Sequence, residues 1–239
     1  MIFFTPMMSI LAIYVLAAVL PAFFLLRYIY RQDTIEKEPG YLLWQLLLCG
    51  VASAFASIIL ESLGSAVLNN TVDPSDPKYY IIMAFLVVAV VEEGTKLFFL
   101  KRRSWRDPNF NYMFDGIVYA VFVSLGFAAF ENIKYVFSYG LSVAVPRALL
   151  AIPGHMGFAV FMGIFYGRAK HASYRGDSFH EKTNLLAGYL SAVFLHGFYD
   201  ACCMIGSKES TAIFVGFVVL MYIVVFRQIK KASWEDRPI

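Results

Sequence analysis

Seven stretches of this chain, about residues 8–29, 41–66, 79–100, 112–137, 148–168, 185–206 and 211–227, are long, apolar and poor in charge. About 20 residues of helix suffice to cross a hydrocarbon core of about 30 Å. Backbone N–H and C=O groups in lipid must be satisfied within the protein, which leaves only helices and closed barrels. The runs are continuously apolar rather than alternating, so helices are predicted. The fold class expected is all-α: a polytopic membrane helix bundle of about seven transmembrane helices. Composition agrees, with 59% apolar and only 15% charged residues, against about 25% charged in an ordinary soluble domain.

The connecting segments alternate in basic content. Arg27, Arg31, Lys37, Lys101, Arg102, Arg103, Arg106, Arg168, Lys170, Arg175, Lys182, Arg227, Lys230, Lys231 and Arg237 fall on one side, 15 residues, and only Lys78, Arg147 and Lys208 on the other. The excess of Lys and Arg marks the cytoplasmic side, so the N-terminus is expected outside and the C-terminus in the cytoplasm. Residues 69–77, rich in turn formers, form the largest outside loop expected. A net charge of +3 gives no reason to expect a nucleic-acid partner; the basic loops are accounted for by topology, with the lipid bilayer as the surrounding partner. The first run has no basic n-region and no small-residue cleavage site after it, so it is kept as a span rather than a signal peptide. Cys49, Cys202 and Cys203 lie in apolar runs as structural thiols. Residues 1–239 are expected to form a single integral-membrane domain with a motif-bearing core over about 79–206.

Against this apolar background, ionisable residues inside spans stand out, since each costs at least about 2.5 kcal/mol on insertion scales. Glu92, Glu93 and Lys96 share the third span. Glu92 and Lys96, four apart, can form an intrahelical ion pair, which leaves Glu93 unexplained. Two adjacent carboxylates project about 100° apart, so one can face a cavity while the other reaches a neighbouring helix, and either can be poised as a general base. In the fourth span Gly116, Ala120, Ser124 and Ala128 make a small-residue stripe suited to close helix approach, with Glu131 near the same face and pointing at a packed neighbour. Asp115, at the cytoplasmic end of that span, is expected to be solvated or ion-paired. Asn132 and Lys134 extend its polar face toward the outer side of the membrane, where Lys134 can snorkel. His155 follows Pro153-Gly154 in span five, where a plain interhelical hydrogen bond is the competing role. His196 and Asp200, four apart, can meet so that the carboxylate holds one imidazole tautomer. Glu61, His171 and His180 look peripheral. Depths reckoned from the rise per residue let Glu92, Glu131, His155, His196 and Asp200 share one cavity in the outer half of the bilayer.

Glu92-Glu93-x-x-Lys96, Phe127-x-x-x-Glu131 and His196-x-x-x-Asp200, in that order on successive membrane helices, resemble the PrsW family of intramembrane proteases. More distantly they resemble the type II CAAX prenyl endopeptidases, which carry a double glutamate, a Phe-x-x-x-His and a His-x-x-x-Asn. The resemblance implies a multi-pass protease of the bacterial plasma membrane. Its substrate would be a single-span membrane protein such as an anti-sigma factor, which receives a first, outside-face cut under envelope stress. By the same resemblance Glu92 is the principal catalytic carboxylate, Glu93 supports it, Glu131 replaces the prenyl proteases' histidine, and His196 positions water or stabilises the oxyanion. An ionised Asp200 cannot donate as their asparagine does, so orienting His196 or binding metal becomes its role.

Two hydrolytic routes are open to these residues. In the favoured one, which needs no cofactor, Glu92 is the base, Glu131 faces it as a proton-sharing partner, and His196 held by Asp200 polarises the carbonyl. In the other, His155, His196 and either Glu131 or Asp200 bind a divalent metal, zinc suiting the donors, although no His-Glu-x-x-His motif is present. Lys96 and His155 are supporting residues in the first route. A proton- or ion-coupled transporter would also carry such residues, but the internal repeats and paired broken helices common in transporters are not evident.

Overall fold

The structure, a computed structural model, describes residues 4–239. Its helices are α1 (Phe4–Gln32), α2 (Gly40–Thr71), α3 (Pro77–Ile82), α4 (Val90–Ser104), α5 (Asp115–Tyr139), α6 (Ala144–Pro146), α7 (Ile152–Tyr174), α8 (Ser178–Ile205) and α9 (Lys208–Trp234). Wide π-helical turns, Met83–Ala89 and Arg147–Ala151, join α3 to α4 and α6 to α7. Among the described residues six helical stretches are long and apolar enough to cross a membrane. The seventh expected span is the path from α3 through the π turn into α4, and it carries Glu92, Glu93 and Lys96 in its α4 part. The protein is thus all-helical and multi-pass.

The bundle is centred on α5, whose residues from Asp115 to Ala128 are buried without interruption. An apolar helix is buried all round only if its neighbours come close, and small residues permit that. A Cβ at Gly163 of α7 would stand 2.5 Å from the Ile117 Cα and 2.7 Å from the Gly116 carbonyl oxygen. On the other flank, a Cβ at Gly50 of α2 would stand 2.0 Å from the Val123 carbonyl oxygen. The stripe predicted on α5 therefore meets a matching glycine of α7 at Gly116, while α2 approaches a different face, at Val123 and Phe127. Since backbone cannot yield as a side-chain tip can, Gly163→Val is expected to cost about 3 kcal/mol or more, lowering the thermal midpoint by on the order of 10 °C. Gly216→Val, where nothing lies within 4 Å, is expected to leave it unchanged; midpoints in detergent check both.

Two local expectations change, for the 69–77 loop and for Asp115, and Asn132 gains a defined partner. The loop over 69–77 shrinks, because α2 runs on to Thr71: the Asn70 side chain donates to the Ala66 carbonyl and Thr71 Oγ1 to that of Val67. Asn132, on the part of α5 expected toward the outside, is fully buried; its Nδ2 donates to the Ala18 carbonyl oxygen at 2.8 Å, tying α5 to α1. Asp115 is neither solvated nor ion-paired: it is buried beside Asp33 and Glu38 from the α1–α2 connection. Burial pushes the Asp33 carboxyl up to about 6 and that of Glu38 up to about 7. At the same end the C-terminal tail pairs with the α4–α5 connection, Met113 N–H donating to the Arg237 carbonyl and Ile239 N–H to that of Asn111.

Candidate active site

Four helices deliver the ionisable residues to one place. Helix α4 supplies Glu92, Glu93 and Lys96, one turn after the π turn. A π turn inserts a residue and rotates the side chains beyond it, and such turns recur at functional sites. Helix α8 packs directly on it: a Cβ at Gly197 would stand 2.4 Å from the Phe85 ring. That approach brings the neighbouring His196 within reach of α4. The second π turn, Arg147–Ala151, stands in the same way before His155 on α7.

Lys96 Nζ is the centre of the cluster. It donates to Glu93 Oε1 at 2.8 Å and Glu92 Oε2 at 3.1 Å, and lies 3.3 Å from His155 Nδ1. The ring of Phe127 lies 4.0 Å beneath it, a cation–π contact strengthened by the absence of water. With Nδ1 accepting from the ammonium, His155 carries its proton on Nε2 and donates to Glu131 Oε2 at 3.2 Å. The backbone of His155 is fixed in turn, since Ser124 Oγ donates to its carbonyl at 3.0 Å.

His196 is held between carboxylates. Its Nδ1 meets Glu93 Oε1 at 2.9 Å, and its Nε2 lies 3.3 Å from Asp200 Oδ2 and 3.9 Å from Glu92 Oε2. Its ring stacks on Phe158 with centroids 4.8 Å apart. The expected contact with Asp200 is present; the contact with Glu93, 103 positions away in the chain, is additional.

A cavity of about 420 Å³ opens against this cluster and is lined by Glu92, Glu131, His155, His196 and Asp200. Glu93 and Lys96 stand behind its wall, Glu93 with no exposed surface at all. The two adjacent glutamates thus divide as their 100° separation allows, Glu92 to the cavity and Glu93 to α8. Glu131 does not pair with Glu92: Arg147 Nη2 donates to Glu131 Oε2 at 2.7 Å, while Arg147 Nε donates to Asn132 Oδ1 at 2.8 Å. The proton-sharing carboxylate dyad expected from the sequence is replaced by an ion pair, because an arginine takes the position between α5 and α7. In the sequence Arg147 reads only as a topology residue, and its one signal is its isolation on the side poor in basic residues. Glu61, expected to be peripheral, also lines the cavity.

The donor set also bears on metal. Glu92, Glu93, His155 and His196 each offer one ligand atom, all within 4.8 Å of one another. The histidines share this four-residue group with Glu92 and Glu93, while each also touches one of the other two carboxylates, His155 meeting Glu131 and His196 meeting Asp200. Two imidazoles and two carboxylates are donors that zinc accepts. Glu93 Oε2 is buried without a hydrogen-bond partner, the kind of orphaned atom that a cation would satisfy. The residues therefore fit a divalent metal. Lys96 Nζ, in contact with three of the four, supplies positive charge to the same donors.

Comparison with known proteins bears on what such a cavity does. Residues 38–227 match the model of a family described as PrsW family intramembrane metalloprotease. The chain is 33% identical over 223 residues to "Protease PrsW" of Geobacillus kaustophilus, covering 93% of each chain. It is 32% identical to the protein of that name from Oceanobacillus iheyensis, covering 95% of this chain and 97% of the relative. The Bacillus subtilis protein is 31% identical, covering 77% of this chain and 79% of its own length. No solved structure matches.

Proposed function

We propose that this chain, which belongs to the PrsW protease family, makes the first, outside-face cut in a single-span membrane protein, an anti-sigma factor being the expected substrate class. It is a multi-pass bacterial membrane protease, and family membership displaces the transporter alternative. The observation that carries the mechanism is the division of the paired glutamates: Glu92 borders the cavity and Glu93 does not. The proposed face of the cut rests on the cavity-lining residues Glu61, Lys134 and Asp200, which lie toward the ends of α2, α5 and α8. Lys and Arg counting puts those ends outside.

In the glutamate route Glu92 takes a proton from water, the oxygen adds to the scissile carbonyl carbon, and the carbon–nitrogen bond then breaks. The proton passes from Glu92 to the leaving amine, so base and acid are one group in turn. His196, protonated on both nitrogens, is fixed by donating Nδ1–H to Glu93, and its Nε2–H, which rests toward Asp200, turns to the developing oxyanion when substrate is bound. Lys96 neutralises the glutamate pair, and Arg147 keeps Glu131 turned toward His155.

A second route rests on the orphaned Glu93 Oε2 and the four-donor cluster. There Glu92, Glu93, His155 and His196 hold a divalent metal, which supplies Lewis-acid polarisation and an activated water when bound.

The deciding experiment incubates the purified protein in detergent with a single-span substrate labelled on its outside segment, and identifies the fragments by mass. One cut near the outside end of the span, absent with Glu92→Gln, is expected. Cleavage that survives Glu92→Gln overturns the catalytic assignment, and a cut on the cytoplasmic side overturns the topology. Full activity after verified metal removal is the result expected of the glutamate route. Activity lost on chelation and restored by zinc alone decides for the metal.

A further inference from the structure

At the end of the bundle away from the cavity, three carboxyl groups that take no part in cleavage meet in a buried pocket. Asp33 follows α1, Glu38 precedes α2, and Asp115 is the first residue of α5. One oxygen of each lies within 4.8 Å of the others, and the residues are 1%, 4% and 1% exposed.

Two of the three carboxylates are held in place by donors. Tyr119 donates its hydroxyl proton to Glu38 Oε2 at 2.7 Å, and the backbone N–H groups of Asn111 and Tyr112 donate to Asp115 Oδ2 at 3.0 and 2.7 Å. These contacts fix the directions in which Glu38 and Asp115 point. Asp33 Oδ2 has no partner at all, although it is buried. Lys37, the nearest ammonium in sequence, spends its donors on the backbone carbonyls of Asp33 and Tyr30. Among the described residues no Lys, Arg or His forms an ion pair with any of the three carboxylates. Three buried carboxyl groups with no ion-pair partner must either take up protons or gather round a cation, and an oxygen left without any hydrogen bond, as Asp33 Oδ2 is, is served by the cation.

We propose that Asp33, Glu38 and Asp115 bind a hard divalent cation of the magnesium or calcium class, which fastens the α1–α2 connection to the start of α5. All donors in the cluster are oxygen, the set that magnesium, calcium and manganese prefer over zinc or copper. Carboxylate oxygens about 2.3–2.6 Å from a shared calcium lie up to about 5 Å apart across it, which the observed spread accommodates. Asp33 Oδ2 is the atom that gains most, having no other partner. The bound ion joins segments distant in the chain, and the C-terminal tail reaches the same region, with Asp236 Oδ1 accepting from Phe114 N–H at 2.9 Å.

The test uses the full chain in detergent, stripped with a chelator, with thermal unfolding followed as magnesium or calcium is added. A binder of the folded state alone raises the midpoint, so a rise of several degrees is expected, with none from potassium at equal ionic strength. Asp33→Asn and Glu38→Gln are each expected to abolish the rise, and His196→Ala to keep it, which separates this pocket from the cleavage site. No rise in the intact protein, the behaviour of three carboxyl groups sharing protons, overturns the proposal, as does a full rise in Asp33→Asn. Terbium luminescence excited through tyrosine serves if those variants do not fold. Emission is expected in the intact protein, quenched by calcium and sharply reduced in Tyr119→Phe, which keeps all three carboxylates; emission unchanged by that substitution overturns the site.

Discussion

Glu92→Gln is expected to lower the rate of substrate cleavage by about 10²–10⁴-fold, the range of a general base in its transition state, while the protein stays folded. Glutamine keeps the shape of the side chain and an oxygen for Lys96, so the ion cluster loses one charge and no volume. What it lacks is the capacity to take a proton. Glu93→Gln is the informative comparison. Glu93 has no surface on the cavity and acts through His196 Nδ1 at 2.9 Å, so as a positioning residue it is expected to cost about tenfold. His196→Ala should match Glu92→Gln, and the double variant should be little worse than either, because residues acting as a unit are not additive. Initial rates measured with one substrate, alongside gel filtration for folding, check the series. A Glu93→Gln defect larger than that of Glu92→Gln would make Glu93 the base and Glu92 its support.

How far such a site can be read in advance depends on whether its contacts lie within one helix or between several. Glu92 with Lys96, and His196 with Asp200, are four apart, and helical geometry alone brings those pairs together; both are present in the structure. The stripe from Gly116 to Ala128 announces close packing on α5 by the same rule. The contacts between helices carry no such period. Glu93 and His196 are 103 positions apart, and Arg147 reaches Glu131 across a break that contains a 3-10 turn and a π turn. The π turn at Met83–Ala89 is spelled in ordinary apolar residues, so nothing marks where the helix widens to set Glu92 on the cavity and Glu93 against α8. Asp33, Glu38 and Asp115 come from one loop and a helix start, each ordinary when taken alone. A carboxylate in a polar connection reads as solvated until the fold buries it.

Lys96→Met is expected to be the most destabilising single change in the site, by about 3–5 kcal/mol, as when one partner of a buried ion pair is removed. The ammonium contacts both glutamates, His155 and the face of Phe127, and methionine replaces its stem without its charge. The loss then comes from stranded carboxylates rather than from a void. Adding Glu93→Gln removes one of the stranded charges, so the double variant should be more stable than Lys96→Met alone, with a coupling of about 1–3 kcal/mol. Arginine is not an adequate substitute, because a planar fork cannot occupy the position of a compact ammonium with three diverging donors. Thermal midpoints of the four proteins in the cycle, at one detergent concentration and after metal removal, give the coupling directly. A coupling near zero would mean that Lys96 does not neutralise the pair. The same cycle repeated with zinc separates the two routes. If Lys96 is the cation of the working site, zinc leaves the Lys96→Met midpoint where it was; if the glutamates and histidines are metal ligands, zinc restores stability to Lys96→Met by replacing the charge that was removed.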